Sequence, residues 1–185
     1  MVSEWTDIAV FLDASPMGEK IGRHAAMLAR KHKAHLVGMY GVARPGGHGA
    51  YEGFARGEEA IRQVLEERRI AEEQKVLAAG RTFAELTHET EISSEFRVVW
   101  NDVRDEDAVL RALHCDLIVS AHPRPADLPS NWSAEHLLFA TGTPVLLVPH
   151  AWNGSEAIGN VVVVAWNRSR EARRAVADAL PFITA

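Results

Sequence analysis

The sequence predicts an α/β fold, a doubly wound open sandwich around a parallel sheet, with an extra strand and helix at its carboxyl end. Short runs of consecutive apolar residues recur along the chain. Such runs are typical of strands that are covered on both faces. Segments long enough to form helices lie between them, and strands that alternate with helices favour parallel pairing through right-handed crossovers.

Six apolar runs are predicted to form strands. They cover residues 8–12, 36–40, 96–100, 117–119, 145–148 and 161–166. The first helix is predicted to follow Ser15 as its N-cap, with Pro16 in the first turn, and to end near residue 31. A long charged segment predicts a surface helix over residues 58–86. Amphipathic patterns predict further helices over residues 105–114, 133–140 and 171–180.

A glycine-rich stretch over residues 41–57 separates the second strand from the long helix. It contains six glycines, interleaved with His48, Tyr51 and Phe54. So many glycines disfavour regular structure and predict a loop. Two interpretations stay open, a flexible linker and a lid that closes over a ligand.

A strand, a short polar turn and a helix recur near the carboxyl end of the chain. Asp13 and Ser15 follow the first strand, and Asn167 and Ser169 follow the last apolar run in the same order. We therefore expect a domain over residues 1–150, a linker over 151–157 and the beginning of a second repeat over 158–185. A lone strand and helix cannot bury their own apolar face. The tail therefore docks on this domain or on another chain, or the sequence belongs to a longer protein.

Composition and charge narrow the class of protein. The chain has 185 residues, with 20 Lys and Arg against 25 Asp and Glu, for a net charge of −5. A negative chain does not attract a polyanion, so we expect no nucleic-acid partner. We also expect no membrane partner, because no apolar run approaches the about 18 residues of a membrane span. The single cysteine, Cys115, precludes an internal disulfide, which favours a cytoplasmic protein, and it suits a small apolar side chain at a strand entrance.

Three segments carry a resemblance to the universal stress protein family. They are residues 7–15 (DIAVFLDAS), 115–122 (CDLIVSAH) and 133–149 (SAEHLLFATGTPVLLVP), within a pattern that covers residues 6 to about 150. The tail over residues 161–180 resembles the opening of the second domain in tandem members. The resemblance implies a Rossmann-like sandwich of the adenine nucleotide α-hydrolase type, with five parallel strands. It also implies, in many members, a homodimer through the last strand, which here begins at Pro144 and ends at Val148.

The resemblance also implies where a nucleotide would bind. Some members of the family bind ATP and others do not. In those that do, an aspartate at the end of the first strand lies near the phosphates or their metal, and Asp13 matches it. The main chain at the end of the second strand, here near Gly41, contacts the adenine. A glycine series after the fourth strand, Gly-x2-Gly-x9-Gly-Ser/Thr, holds the phosphates, because glycine lets main-chain amides approach an anion closely.

All three glycines of that series are missing from this chain. Ser120 and Pro123 stand where the first two belong, and the final pair falls on Asn131 and Trp132. Pro123 also has no N–H group, so this position loses a donor. His122 matches a histidine often found between the first two glycines. The phosphate-binding motif is therefore degenerate.

Several candidate residues have a structural alternative to ligand binding. His122 and Arg124 follow a strand, at the edge where open α/β sheets bind ligands. The alternative is that His122 packs in a turn and that Arg124 is solvated. Asp13 equally suits a turn and cap residue. For Trp132 and Trp152, burial at a subunit or repeat contact is favoured over base stacking.

Two hypotheses about function follow. The favoured one is a nucleotide-independent, dimeric interaction module in stress adaptation, with no catalytic residue and no metal site, which dimerises through the last strand or the carboxyl-terminal fragment. The alternative is an adenine-nucleotide binder with at most slow hydrolysis. Its ATP-binding residues would be Asp13, Gly41, Ser120, His122 and Arg124. The sequence contains no dinucleotide fingerprint, no Walker lysine and no Gly-x-Ser-x-Gly elbow, which leaves weak ATPase activity as the only enzymatic alternative.

Overall fold

The structure is a computed structural model that describes residues 5–42, 57–100, 108–111, 113–126, 128–152 and 161–184. The strands are β1 (Asp7–Leu12), β2 (His35–Val42), β3 (Ser94–Trp100), β4 (Leu117–His122) and β5 (Val145–Pro149). The helices are α1 (Pro16–His32), α2 (Glu58–Thr90), α3 (Ala108–Arg111), α4 (Ala134–Thr141), α5 (Arg170–Asp178) and α6 (Leu180–Ile183). The five strands form one sheet in the order β3-β2-β1-β4-β5, and every pairing is parallel. The predicted α/β sandwich is confirmed.

The strand order creates a switch point beside β1. The chain passes from β1 outward through β2 to β3, and it returns to the other side of β1 for β4 and β5. Leu12 lies opposite Tyr40 in the pairing of β1 with β2, and Val10 lies opposite Val119 in the pairing of β1 with β4. The carboxyl ends of the three central strands therefore meet at one edge, which is where open α/β sheets bind ligands.

The core lies on both faces of the sheet, because successive side chains of a strand point to opposite sides. Ile8, Val10 and Leu12 of β1 pack in a cluster with α1 and with Phe83 of α2. Ala9 and Phe11 pack in a second cluster on the other face, with side chains of α3, α4 and the segment between β4 and α4. This arrangement explains why the strands are apolar at consecutive positions.

Both ends of α1 have clear local causes. The Ser15 hydroxyl accepts hydrogen bonds from the N–H groups of Met17 and Gly18, each at 3.2 Å. Pro16 occupies the first turn, where a missing N–H has no cost. Lys33 ends the helix in the left-handed conformation, with φ of 55°. The predicted start at Ser15 is confirmed.

The tail differs from the sequence-based expectation. The strand predicted over residues 161–166 does not form, because no strand within the described ranges pairs with this segment. The predicted helix forms as α5 and α6. Phe182 of α6 attaches the tail to the domain, with its ring 4.6 Å from that of Trp5. The division into domain, linker and second repeat stays a prediction.

Some predicted features lie outside the described residues. These are residues 43–56 of the glycine-rich stretch, residues 105–107 and 112 of the helix predicted over 105–114, and residues 153–160 between β5 and the tail. Among the helices that the structure describes, none is both long enough and apolar enough to cross a membrane.

Candidate functional site

The candidate site lies at the carboxyl ends of the three central strands. Asp13 directly follows β1, and Gly41 lies level with it on β2, one position beyond the pair of Leu12 and Tyr40. His122 ends β4, three positions beyond the pair of Val10 and Val119, and so reaches the same edge. The structure thus places at one edge of the sheet three of the residues that the resemblance implies for a nucleotide site.

Asp13 is buried and holds the turn that leads into α1. Its Oδ1 atom accepts hydrogen bonds from the Ser15 hydroxyl at 2.7 Å and from the Ser15 N–H at 3.3 Å. The same hydroxyl caps α1, so the carboxylate orients the cap. Gly18, in the first turn of α1, packs directly against this turn, because a Cβ there would lie 2.2 Å from the Asp13 carbonyl oxygen. These contacts support the interpretation of Asp13 as a turn and cap residue.

Asp13 also lines a cavity of about 200 Å³ between α1 and α2. Leu12, Phe83 and Leu86 form much of its wall. Its volume lies below the range of about 300–1,000 Å³ that small-molecule sites usually have. The space beside this carboxylate is therefore small for a nucleotide.

Gly41 is covered by the segment between β4 and α4, residues 123–133, which we call the crossover. The crossover passes over β1 and places Pro129 and Trp132 on the end of β2. A Cβ at Gly41 would lie 2.5 Å from Pro129 Cγ and 2.9 Å from Trp132 Cη2. Glycine is therefore required at this position by the packing of the chain itself.

Trp132 belongs to the core of the domain. Its side chain is 1% exposed, and its ring meets that of Phe11 edge-on, with 4.7 Å between the ring centroids. Leu128 of the crossover is buried in the same cluster. The expectation that Trp132 lies at a subunit or repeat contact is therefore wrong, because the crossover folds inward onto β1 and β2. Trp152 is half-buried and packs on His24 of α1.

Arg124 fastens the crossover instead of projecting into solvent. Its Nη1 group donates a hydrogen bond to the Pro125 carbonyl oxygen at 2.9 Å and another to the carbonyl oxygen of Leu128. The expectation of a solvated guanidinium is therefore wrong, since two loop carbonyls hold it. His122 has an exposed side chain, and its carbonyl oxygen accepts the N–H of His150 at 3.0 Å.

Ser120 is a buried polar residue among the apolar side chains of β4. Its side chain has no exposed surface, and within the described part of the chain its hydroxyl has no hydrogen-bond partner. Alternation along β4 places it on the same face as Ile118, which packs in the cluster of Phe11 and Trp132. An unpaired buried hydroxyl costs about 1–3 kcal/mol.

Solved proteins of known family have the same arrangement of strands and helices. The universal stress protein UspA from Lactobacillus plantarum matches with a TM-score of 0.56 and 19% identity, over 79% of this chain and 99% of that chain. This chain has the universal stress protein fold. No protein-family model and no curated protein matches the sequence.

Two further structures with the universal stress protein fold contain a nucleotide. A universal stress protein solved in complex with cAMP matches with a TM-score of 0.51 and 14% identity, over 80% of this chain and 98% of that chain. A universal stress protein family protein from Arabidopsis thaliana with AMP bound matches with a TM-score of 0.50 and 13% identity, over 78% of this chain and 91% of that chain.

The single cysteine lies at the opposite edge of the sheet from the candidate site. Burial raises the pKa of the Cys115 thiol to about 12, and the negative charge of Asp116 adds to this shift. A thiol with so high a pKa stays protonated near neutral pH and is a poor nucleophile. Cys115 is half-buried just before β4 and packs against the core, which agrees with the prediction of a small apolar side chain at a strand entrance.

We expect the stability of this fold to decrease as the pH falls below about 6.5, the ordinary pKa of histidine. His24 is buried against Trp152, and burial lowers its pKa. In the unfolded chain His24 takes up a proton near its ordinary pKa, whereas in the folded chain it resists protonation until lower pH. The unfolded state therefore binds more protons over this interval, which favours unfolding.

The measurement is the urea midpoint between pH 8 and pH 5, for the wild type and for His24→Phe. Phenylalanine keeps an aromatic ring beside Trp152 and does not titrate. The midpoint of the wild type should fall more steeply with decreasing pH than that of the variant. Parallel curves would show that His24 contributes nothing to the pH dependence.

Proposed function

We propose that this chain is a binding and interaction module of the universal stress protein family, that it acts in stress adaptation as a homodimer, and that it is not an enzyme. The observation that carries the proposal is the packing of Pro129 and Trp132 on Gly41. The resemblance places the adenine near Gly41. The close packing of Pro129 and Trp132 on Gly41 supports the proposal that the crossover takes the place of an adenine here.

The phosphate end of the site supports the same proposal. Main-chain amides of glycine-rich turns bind phosphate because no side chain blocks their approach. Here Ser120 and Pro123 replace the first two glycines, and proline offers no amide hydrogen. Arg124 directly follows Pro123 and could contribute a guanidinium to a phosphate site. Its Nη1 group, however, donates hydrogen bonds to carbonyl oxygens of the crossover. A ligand phosphate would have to compete with these bonds.

The surface beside β5 supports a homodimer. β5 lies at the end of the strand order, and its Leu147 is 41% exposed. Phe139 on the neighbouring helix α4 is 85% exposed. An apolar edge strand of this kind favours association with another chain. We place the protein in the cytoplasm, in keeping with its single, unreactive cysteine.

Sedimentation at micromolar concentration tests the proposed assembly. We expect a dimer for the wild type and a shift toward monomer for Leu147→Lys, because lysine at an edge strand opposes pairing. Leu65→Lys on α2 is the matched control, since Leu65 is 48% exposed and lies away from β5. A wild-type monomer would contradict the proposed homodimer.

The second candidate function is adenine-nucleotide binding, with at most slow hydrolysis of ATP. The solved neighbours with cAMP and with AMP favour it, as does the hydroxyl of Ser120 in β4, which has no hydrogen-bond partner among the described residues. In this case Asp13, Gly41, Ser120, His122 and Arg124 would contact the nucleotide after the crossover moves. This candidate predicts saturable binding that Asp13→Ala abolishes.

A further inference from the structure

The first part of the tail, residues 161–166, has no regular secondary structure and is apolar and at least partly exposed. Val161 and Val163 are 86% and 88% exposed, whereas Val162 and Val164 are 44% and 49% exposed. This alternation is typical of a strand with one partly covered face. Within the described ranges, however, no strand pairs with the segment. The tail thus offers unpaired main-chain groups beside a row of valines.

The outer edge of β5 offers the complementary surface. In the described part of the chain, β4 is the only strand that pairs with β5. Leu147 on β5 and Leu138 and Phe139 on α4 expose apolar side chains next to this edge. An extended apolar segment can add to such an edge, because main-chain hydrogen bonds hold it and alternate side chains pack on the flanking surface.

Side chains of α5 and α6 attach the tail to its own domain. Phe182 packs on Trp5, and Arg174 Nη2 donates a hydrogen bond to the Gly142 carbonyl oxygen at 3.3 Å. The nine residues of α5 are all exposed or half-buried. Residues 161–166 therefore precede a helix with no buried residue, and within the described ranges they do not pair with the sheet.

The charge of the tail also suits a second copy of this chain. Four arginines and two acidic residues lie in residues 161–184, which leaves the tail positive, whereas the whole chain has a net charge of −5. The remainder of the chain is therefore more negative still. A positive tail is attracted to the negative domain of another copy, and this attraction aids encounter.

We propose that residues 161–166 of one chain add as a strand to the outer edge of β5 in a second copy, and that the second copy does the same in return. This inference rests on the proposed homodimer and names its contact. Within the described residues of a single chain, neither the segment nor the outer edge of β5 has a strand partner. A symmetric pair satisfies both at once, because a twofold axis brings each tail to the other β5.

Cysteine cross-linking between two differently tagged variants tests this contact. Leu147→Cys in one chain and Val163→Cys in the other should form a mixed disulfide-linked dimer under mild oxidation. The matched control replaces Leu147→Cys with Glu73→Cys, an exposed position on α2. We expect about ten-fold less product from the control, because proximity raises the effective thiol concentration. The wild type should not cross-link, because its single cysteine, Cys115, is half-buried and has a raised pKa.

The outcomes separate this inference from the homodimer on which it rests. Leu147→Cys that cross-links only with itself would place β5 against β5, which overturns the inference and keeps the homodimer. A monomer in sedimentation would overturn both. As a second test, Val161→Lys with Val163→Lys should raise the dimer dissociation constant by about ten-fold or more, because charges at an added strand oppose pairing. An unchanged dissociation constant in a folded variant would overturn the inference.

Discussion

Replacing Trp132 with alanine is expected to lower the free energy of unfolding by about 3–5 kcal/mol, the usual cost of removing a fully buried large aromatic side chain. Trp132 is 1% exposed and contacts both Phe11 and Gly41. Its loss would leave a cavity between the crossover and the sheet, and it would remove the edge-on contact with Phe11. Urea unfolding followed by circular dichroism measures the change.

Leu77→Ala is the control for this experiment. Leu77 lies on α2, away from the proposed dimer contact, and is 56% exposed, so its replacement should change the free energy of unfolding by less than about 0.5 kcal/mol. The difference between the two variants reports the packing of the crossover. Equal effects of Trp132→Ala and Leu77→Ala would mean that the crossover does not fill the end of the sheet.

The second large effect is expected for Gly41→Ala, which should destabilise the fold by about 1–3 kcal/mol through overpacking. The new methyl group would lie 2.5 Å from Pro129 Cγ and 2.9 Å from Trp132 Cη2, so the crossover would have to shift. The proline ring is rigid, and the tryptophan is enclosed by the core. The urea midpoint measures this effect as well.

Gly80→Ala is the control for the glycine variant. A Cβ at Gly80 would lie 3.4 Å from Phe96, an ordinary contact distance, and alanine favours the interior of α2. We therefore expect Gly80→Ala to be neutral or stabilising. If Gly41→Ala is equally well tolerated, the close packing of the crossover on β2 is wrong.

The two substitutions should also be coupled. In a chain that carries Trp132→Ala, the ring that limits the space at Gly41 is gone, and only the contact with Pro129 remains. Gly41→Ala should then cost less than it does alone, as found for residues that share one packing site. Additive effects would show that Trp132 and Gly41 do not meet.

The strands and the first helix could be predicted from the sequence because their signals are local. Runs such as residues 8–12 are apolar at every position, since both faces of the sheet are covered by helices. Ser15 and Pro16 begin α1 through contacts within four residues. Such features depend on neighbours in the sequence and need no knowledge of the tertiary structure.

The structure of residues 161–166 could not be predicted from their pattern alone. Their four consecutive valines are typical of a buried strand, yet this segment has no strand partner in the described part of the chain. A strand is made by hydrogen bonds to another strand, so its formation depends on what lies beside it. The sequence of the segment does not contain that information.

The interior of the candidate site was also only partly predictable. The family resemblance indicated Asp13, Gly41 and His122, and the three residues lie at one edge of the sheet because parallel strands end together. The roles of Trp132 and Arg124 depend on the path of the crossover, which brings residues far apart in sequence into contact. A sign of this packing was nevertheless present: Leu128 and Trp132 are two large apolar residues in an otherwise proline-rich turn.

Equilibrium binding of labelled ATP with magnesium to the purified chain tests the central claim most directly, with Asp13→Ala as a matched variant. The claim is that the crossover occupies the space that a nucleotide would need. We predict no saturable binding by the wild type up to millimolar ATP. Saturable binding that is lost in Asp13→Ala would contradict the claim.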